Sequence, residues 1–164
     1  MYFVNIIRRI CDTFNRNSVE YLLIGGTAMA LHGYYRHTKT VDGAVVEKPD
    51  LDFWYRKTYT NYYNVLKALE ELGLEVTQYK AEQSVDLDKA FFRFEFNDYT
   101  LDLLPEINLA SKFWQATSRR EVFGSGGVDI PFMGIEDLIE NKKRIGRPKD
   151  IEDVENLQRL NDGV

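Results

Sequence analysis

Apolar residues recur at helical spacing in several stretches of the chain. Phe3, Ile6, Ile10 and Phe14 lie on one side of such a stretch, which predicts an amphipathic first helix over residues 2–16. The same spacing, together with glycine or proline at the ends, predicts further helices over residues 27–33, 60–72, 135–145 and 150–161. The last two are divided at residues 146–148, which read Gly-Arg-Pro. The chain therefore ends in a predicted helix pair.

Short apolar or alternating segments lie between these helices. They predict strands over residues 19–24, 50–55, 74–79, 91–96, 100–104 and 128–133. Asn97 and Asp98 predict a hairpin turn between two of these strands. The remaining polar segments predict a connection over 34–49, a turn or short edge strand over 81–89, and a flexible loop over 124–127. The pattern predicts an α+β fold with a mixed β-sheet flanked by helices and two C-terminal helices.

Composition narrows the class of protein. With 164 residues, of which 44% are hydrophobic and 29% charged, the whole of residues 1–164 is expected to form a single globular domain. A net charge of −5 argues against a broad nucleic-acid-binding face but leaves room for a local phosphate-binding patch. The single cysteine, Cys11, and the absence of a signal peptide or a bilayer-spanning apolar run predict a cytoplasmic protein.

Two acids stand at the start of a predicted strand. Asp50 and Asp52 are two residues apart, so their side chains point to one face, whereas Leu51 and Phe53 point to the other. Adjacent like charges are unfavourable unless a cation neutralises them, and carboxylate oxygens suit Mg²⁺ or Mn²⁺. A third acid, Asp102, lies on a later predicted strand. Paired acids alone are more typical of a solvated face, so the metal site depends on the three acting together.

A glycine turn precedes the acids. Gly25 and Gly26 follow a predicted strand and open a predicted helix that includes Thr27. Such a turn presents backbone N–H groups to a phosphate, and glycine lets the phosphate approach without a Cβ in the way. Glycine at a strand-to-helix turn is common, however, so this signal alone is weak.

Taken in order, these segments resemble a known family. The series Gly25-Gly26-Thr27, Asp50-Leu51-Asp52 and Thr100-Leu101-Asp102 is similar to the signature of the DNA polymerase β-type nucleotidyltransferase superfamily. The minimal bacterial members linked to abortive-infection and toxin–antitoxin systems look closest. Residues 26–33, 36–38 and 137–150 also resemble segments of those proteins, so the likeness runs from about Tyr21 to Leu160. One departure is an apparent insertion over residues 41–48, before the acids.

The resemblance implies a nucleotidyltransferase-like fold and a role for each motif. Asp50, Asp52 and Asp102 would be the catalytic residues and would bind Mg²⁺ or Mn²⁺. A nucleoside triphosphate (NTP) would be the donor substrate. Its phosphates would contact the remaining site residues, which are Gly25, Gly26, Thr27, Arg36, Thr38, Lys142 and Arg147. The acceptor would carry a hydroxyl group and would be a protein, a tRNA or a small molecule.

Other interpretations remain open from the residues alone. The scaffold could serve as a non-catalytic nucleotide-binding or toxin–antitoxin interaction module, whereas a phosphohydrolase has less support because no His-Asp ligand set is present. Lys142 and its basic neighbours are as well explained by solvated charge at a helix end as by phosphate contact. His32 is expected to pack and hydrogen-bond, and Asp150 and Asp153 to cap a helix. A homodimer or a partner encoded by a neighbouring gene is a further expectation.

Overall fold

A computed structural model describes residues 2–35, 38–39, 45–46 and 48–163. Within these ranges the α-helices are α1 (Tyr2–Arg16), α2 (Gly25–Leu31), α3 (Tyr59–Glu71), α4 (Thr77–Lys80), α5 (Phe113–Ser118), α6 (Ile135–Ile145) and α7 (Pro148–Asn161). The strands are β1 (Tyr21–Ile24), β2 (Thr38–Lys39), β3 (Val45–Val46), β4 (Asp50–Tyr55), β5 (Phe92–Glu95), β6 (Thr100–Leu104), β7 (Glu121–Ser125) and β8 (Val128–Phe132). None of the helices in the described ranges is long and apolar enough to cross a bilayer.

Six of the strands form one mixed sheet, in the order β5-β6-β4-β1-β8-β7. The β4–β6 and β1–β8 pairs are parallel, and the other neighbouring pairs are antiparallel. Strands β2 and β3 form a separate antiparallel pair. The α+β fold predicted from the sequence, a mixed sheet flanked by helices, is therefore confirmed.

One face of the sheet carries the main aromatic core under α1 and α3. Phe14 of α1 meets Tyr21 and Phe53 edge to face, with ring centroids 5.1 and 5.2 Å apart. Tyr62 of α3 stacks on Phe92 of β5 at 5.8 Å. Burial of such rings is a large apolar contribution to stability, and it fixes which side of β4 faces inward. The opposite side of β4, which carries the acids, faces α2 and α5.

Most predicted elements are found close to their predicted bounds. The first helix, the acidic strand and the β5–β6 hairpin occur as predicted, as do both C-terminal helices. The second helix begins earlier, at Gly25 instead of residue 27, so the glycines form its first turn. The last helix begins at Pro148, which is well suited to a first helical position because it needs no N–H partner.

Three predictions of local structure were wrong or incomplete. Residues 74–79 do not form a strand, because the Glu75 carboxylate accepts a hydrogen bond from the Thr77 backbone N–H at 2.8 Å and starts helix α4. Residues 124–127 are not a loop throughout, since Gly124 and Ser125 extend β7 and only Gly126 and Gly127 turn the chain. Helix α5 and strand β7 were not predicted at all. In the 81–89 segment the turn alternative is correct, as a short 3₁₀ helix spans Leu87–Lys89.

Some predictions concern residues that lie outside the described ranges. Arg36, residues 40–44 and residue 47 lie outside those ranges, so the predicted role of Arg36 and most of the 41–48 insertion stay predictions. Thr38 lies in β2, but the placement of its side chain is also outside the described structure.

Candidate active site

The β1–α2 turn places Gly25 directly against an acid of the neighbouring strand. Gly25 has a φ of +68°, a left-handed conformation that side chains disfavour. A Cβ at this position would lie 2.6 Å from Oδ2 of Asp52, so the Asp52 carboxylate would have to shift to admit any other residue. Gly26, in contrast, has open space where its Cβ would be. The turn is therefore built around the Asp52 carboxylate and is open beside it.

The first turn of α2 is not capped by a side chain. Its N-cap residue is Ile24, which makes no side-chain capping hydrogen bond, so Thr27 is not the N-cap of this helix. Instead Thr27 lies within the first turn and is half-buried. The N–H groups of a first helical turn have no partner within the helix, which suits them to an anion.

Strand pairing brings two of the predicted acids side by side. Strands β4 and β6 run parallel, with Asp52 opposite Asp102 and Asp50 opposite Thr100. Side chains of register partners point to the same face, and the two carboxyl groups are close enough there to shift each other's pKa. Asp102 is buried and Asp52 half-buried, whereas Asp50 is exposed at the start of its strand. The three acids thus form a buried pair with Asp50 at its outer edge.

The buried pair retains protons more strongly than ordinary carboxyl groups. Burial is the main cause that raises the pKa of Asp52 to about 7, and the charges of Asp102 and Asp50 add to it, whereas Lys142 acts in the opposite direction. The pKa of Asp102 is also raised, chiefly by burial, although the nearby Arg93 guanidinium lowers it. Two adjacent carboxyl groups that repel each other's negative charge are expected to share a proton or to bind a cation.

The acid pair offers some of the oxygen ligands that a divalent cation requires. Oδ1 of Asp102 is buried without a hydrogen-bond partner among the described residues, and such a carboxylate oxygen is suited to bind a cation. In the described ranges, however, no three Asp, Glu, His or Cys side chains converge closely enough to form a ready metal cage. Asp52 and Asp102 could therefore hold a cation only as two ligands, and Asp50 would have to turn inward to join them.

Comparison with solved structures shows which known fold the chain shares. No family model and no curated protein matches the sequence. A solved structure of a candidate nucleotidyltransferase from Thermotoga maritima is 16% identical, with a TM-score of 0.59 over 99% of this chain and 94% of that one. The lincosamide antibiotic adenylyltransferase LnuA, solved with lincomycin, is 16% identical, with a TM-score of 0.53 over 91% and 92% of the two chains.

A third solved structure extends the comparison. ANT(2'')-Ia, in complex with adenylyl-2''-tobramycin, is 16% identical, with a TM-score of 0.54 over 98% of this chain and 95% of that one. The chain has the nucleotidyltransferase fold. The predicted resemblance is thus confirmed for the fold, whereas none of these structures bears on the abortive-infection or toxin–antitoxin branch.

Within the nucleotidyltransferase fold, Lys142 lies in a buried ion network between α6 and α7. Its Nζ is 3.5 Å from Oδ1 of Asp150 and 3.6 Å from Oδ2 of Asp153, and both carboxylates are fully buried. Lys142 is therefore not a solvated surface charge. Its positive charge still acts on Asp52. The network places one buried cation behind the acid pair.

Arg147 belongs to the same network but is partly exposed. Its Nε donates to Oδ2 of Asp150 at 2.7 Å, and its backbone N–H donates to the same oxygen at 3.1 Å. Asp150 thus caps α7, as the sequence predicted. Burial alone would raise its pKa, but the hydrogen bonds from Arg147 and the charge of Lys142 together outweigh burial, so its pKa is lowered. Asp153 instead faces Lys142 from the second turn of α7 and is not a cap.

Two further predictions about reactive side chains concern residues away from the acids. His32 packs against Phe132 with ring centroids 4.9 Å apart, and its Nε2 is 2.8 Å from the Met133 carbonyl oxygen. It therefore packs and hydrogen-bonds as predicted. Cys11 is fully buried, and burial raises the pKa of its thiol to about 12, so it is an unreactive core residue.

Sequence reasoning missed Arg93 on the edge strand β5. Arg93 is the register partner of Asp102, and its Nη1 is 3.5 Å from Oδ2 of that residue. The alternation of Phe92, Phe94 and Phe96 placed Arg93 on the polar side of its strand. A signal was therefore present, but only the pairing of β5 with β6 shows which acid it faces.

Proposed function

We propose that the protein is a Mg²⁺-dependent nucleotidyltransferase, with Mn²⁺ as an alternative cation. It would transfer a nucleoside monophosphate from an NTP to a hydroxyl acceptor. The observation that carries this proposal is the buried Asp52–Asp102 pair, packed directly against the Gly25 turn. That arrangement combines a site for a cation with an adjacent, open stretch of backbone for phosphates.

Each acid has a distinct place in this proposal. Asp52 and Asp102 would hold the cation, with Asp50 joining from the exposed edge of the pair. When bound, the cation would neutralise the phosphate charge and polarise the reacting phosphoryl group. The Asp52 carboxylate lies directly against the Gly25 turn, so it would be positioned to hold the cation beside the donor phosphates.

The donor triphosphate would lie along the open side of the turn. The free space beside Gly26 would admit a phosphate, and the backbone N–H groups of the first α2 turn would donate to it. Thr27, Arg36 and Thr38 are proposed to add contacts to the same phosphates. Arg147 is the more accessible cation of the α6–α7 network, whereas Lys142 would act through its field from within the protein.

The proposed reaction is an in-line displacement at the α-phosphorus. The acceptor oxygen would form a bond to phosphorus as the bond to the β-phosphate bridging oxygen breaks and pyrophosphate leaves. The acceptor hydroxyl proton would pass to the Asp102 carboxylate, whose pKa is raised by burial, which makes it a stronger base than an ordinary carboxylate. The acceptor would be a protein, a tRNA or a small molecule. A small molecule has support from the antibiotic-modifying proteins among the structural neighbours.

The test is transfer of label from α-³²P NTPs, supplied with Mg²⁺, to protein, tRNA and small-molecule acceptors. Asp52→Asn should abolish transfer while leaving the fold intact, because it removes the charge but keeps the shape of the side chain. Glu70→Gln, on the exposed side of α3, is the matched control and should transfer at the wild-type rate. Transfer that persists in a folded Asp52→Asn protein would refute the assignment.

One observation favours a second candidate function, a nucleotide-binding or toxin–antitoxin interaction module without catalysis. Asp50 remains exposed and does not complete a three-ligand group within the described ranges. Calorimetry with ATP, GTP, CTP and UTP, with and without Mg²⁺, separates the two functions. Binding of a nucleotide without transfer to any acceptor would favour the module.

A further inference from the structure

The acid pair has a positive neighbour that the proposed reaction does not use. Arg93 projects from edge strand β5 onto the same face as Asp102, its register partner. The contact is long, at 3.5 Å between Nη1 and Oδ2, and it joins a half-exposed guanidinium to a buried carboxylate. A loose ion pair of this kind at an exposed edge contributes little to folding stability. Its position at the candidate metal ligand therefore requires another explanation.

A second acceptor lies within reach of the same guanidinium. Nε of Arg93 is 3.7 Å from Oε1 of Glu95, whose side chain is 67% exposed. Arg93 therefore faces two carboxylates, a buried one at the candidate site and a solvated one further along the strand. The other oxygen of the buried acid, Oδ1 of Asp102, has no hydrogen-bond partner among the described residues. Asp102 is thus neutralised on one side and unsatisfied on the other.

We propose that Arg93 is a positioning residue that supplies the counter-charge of Asp102 until a divalent cation replaces it, and that Glu95 then holds the guanidinium. The inference rests on the proposed function. A guanidinium and a divalent cation next to one carboxylate repel each other, so Arg93 opposes cation binding while it stays on Asp102. Movement toward Glu95 would lessen this repulsion, because Glu95 is the register partner of Thr100 and so lies two residues farther along the strand pair than Asp102.

Binding of Mn²⁺ alone, measured by electron paramagnetic resonance on the full chain at pH 8, tests the proposal without an acceptor. Arg93→Gln should bind Mn²⁺ about fivefold more tightly than the wild type, since the competing charge is gone. Arg93→Lys keeps the charge and should stay near the wild-type affinity. Glu95→Gln removes the second position and should weaken Mn²⁺ binding by about twofold to fivefold. Arg120→Gln, an exposed arginine that bonds the Thr117 carbonyl, is the control and should change nothing.

The outcomes separate this inference from the proposed function. Suppose that wild-type Mn²⁺ binding depends on Asp52, but that Arg93→Gln binds Mn²⁺ no more tightly than the wild type. That result would overturn the proposed role of Arg93 and leave the proposed function standing. Failure to find Asp52-dependent Mn²⁺ binding in any of the variants would overturn the proposed function, and this inference with it. Thermal unfolding of each variant confirms that the compared proteins are folded. Glu95 is exposed, so its variant remains informative even if Arg93→Gln unfolds.

Discussion

At the scale of single residues, Gly25 and Asp52 constrain each other. The left-handed backbone at Gly25 turns the chain from β1 into α2, and the Asp52 carboxylate fills the space that a Cβ would need. The neighbouring glycine is under neither constraint, since Gly26 has an ordinary φ and open space beside it. Two adjacent glycines thus have different physical reasons for being glycine.

This difference predicts opposite results for two alanine variants. Gly25→Ala should lower the free energy of unfolding by about 2 kcal/mol or more, because of its left-handed φ and the collision with Asp52. Gly26→Ala should leave stability unchanged or raise it by up to about 1 kcal/mol, because alanine favours helices. If a phosphate lies over Gly26, this second variant should nevertheless bind NTPs more weakly. Urea unfolding and nucleotide calorimetry measure the two effects, and equal destabilisation by both changes would contradict the account.

The pKa of Asp52 predicts how stability depends on pH. Burial and the neighbouring acids raise this pKa from 3.8 to about 7, so between these values the folded protein holds a proton that the unfolded chain releases. Stability from this group is therefore complete below about pH 4 and is lost as the pH rises through 7, by roughly 2 to 4 kcal/mol. Asp52→Asn should remove this loss, so with a chelator present it should be more stable than the wild type at pH 8. A wild-type and variant difference that does not change between pH 4 and 8 would contradict the pKa shift.

The shared face of Asp50 and Asp52 could be predicted from the sequence because the two acids are only two residues apart. Alternation on a strand places Asp50 and Asp52 on one face, whatever the rest of the chain does. Their protonation could not be predicted in this way. It depends on burial, on Asp102 and on Lys142, which arrive from other elements. Arg93 was missed for the same reason, since its partner is set by strand pairing.

At the scale of elements, the α6–α7 pair is held by buried charge as well as by apolar packing. Lys142 of α6 lies between Asp150 and Asp153 of α7, and all three are almost completely inaccessible to solvent. Gly146 ends α6 in a left-handed conformation and allows α7 to fold back against it. Lys142 therefore joins the two helices through buried ion pairs.

Removal of the Lys142 charge should lower the stability of the protein. Lys142→Ala would leave two buried carboxylates without it and should lower the free energy of unfolding by about 3 to 5 kcal/mol. Lys143→Ala, next to it on the exposed side of α6, should change stability by less than about 0.5 kcal/mol. Urea unfolding of the two variants measures both values. A loss below about 1 kcal/mol for Lys142→Ala would show that the network is not structural.

The elements that sequence reasoning missed are those whose local pattern is ambiguous. Residues 74–79 alternate like a strand, but Leu74 and Val76 pack into the hydrophobic core, and the Glu75–Thr77 hydrogen bond turns the chain into a helix. Strand β7 exposes both Val122 and Phe123, so it lacks the alternation expected of a sheet edge. Its strand character comes from pairing with β8, which no local signal shows.

At the scale of the whole molecule, the site depends on the order of strands in one sheet. Asp52 and Asp102 are distant in sequence and meet because β4 and β6 pair in parallel, which requires a long crossover connection. Sequence reasoning predicted a mixed sheet of the nucleotidyltransferase type, and the fold comparisons agree with that fold. It had no means to predict the register that makes the two acids direct neighbours.

The central claim is that the Asp52–Asp102 pair and the glycine turn together bind an NTP with a divalent cation. The most direct measurement is the unfolding temperature with each of the four NTPs, with and without Mg²⁺, for the wild type, Asp52→Asn and Asp102→Asn. A ligand at about 100 times its Kd stabilises a folded protein by roughly 2.7 kcal/mol. We predict such stabilisation for the wild type only when at least one NTP and Mg²⁺ are both present, and its loss in both variants. Equal stabilisation of the wild type and the two variants, or none by any NTP, would contradict the account.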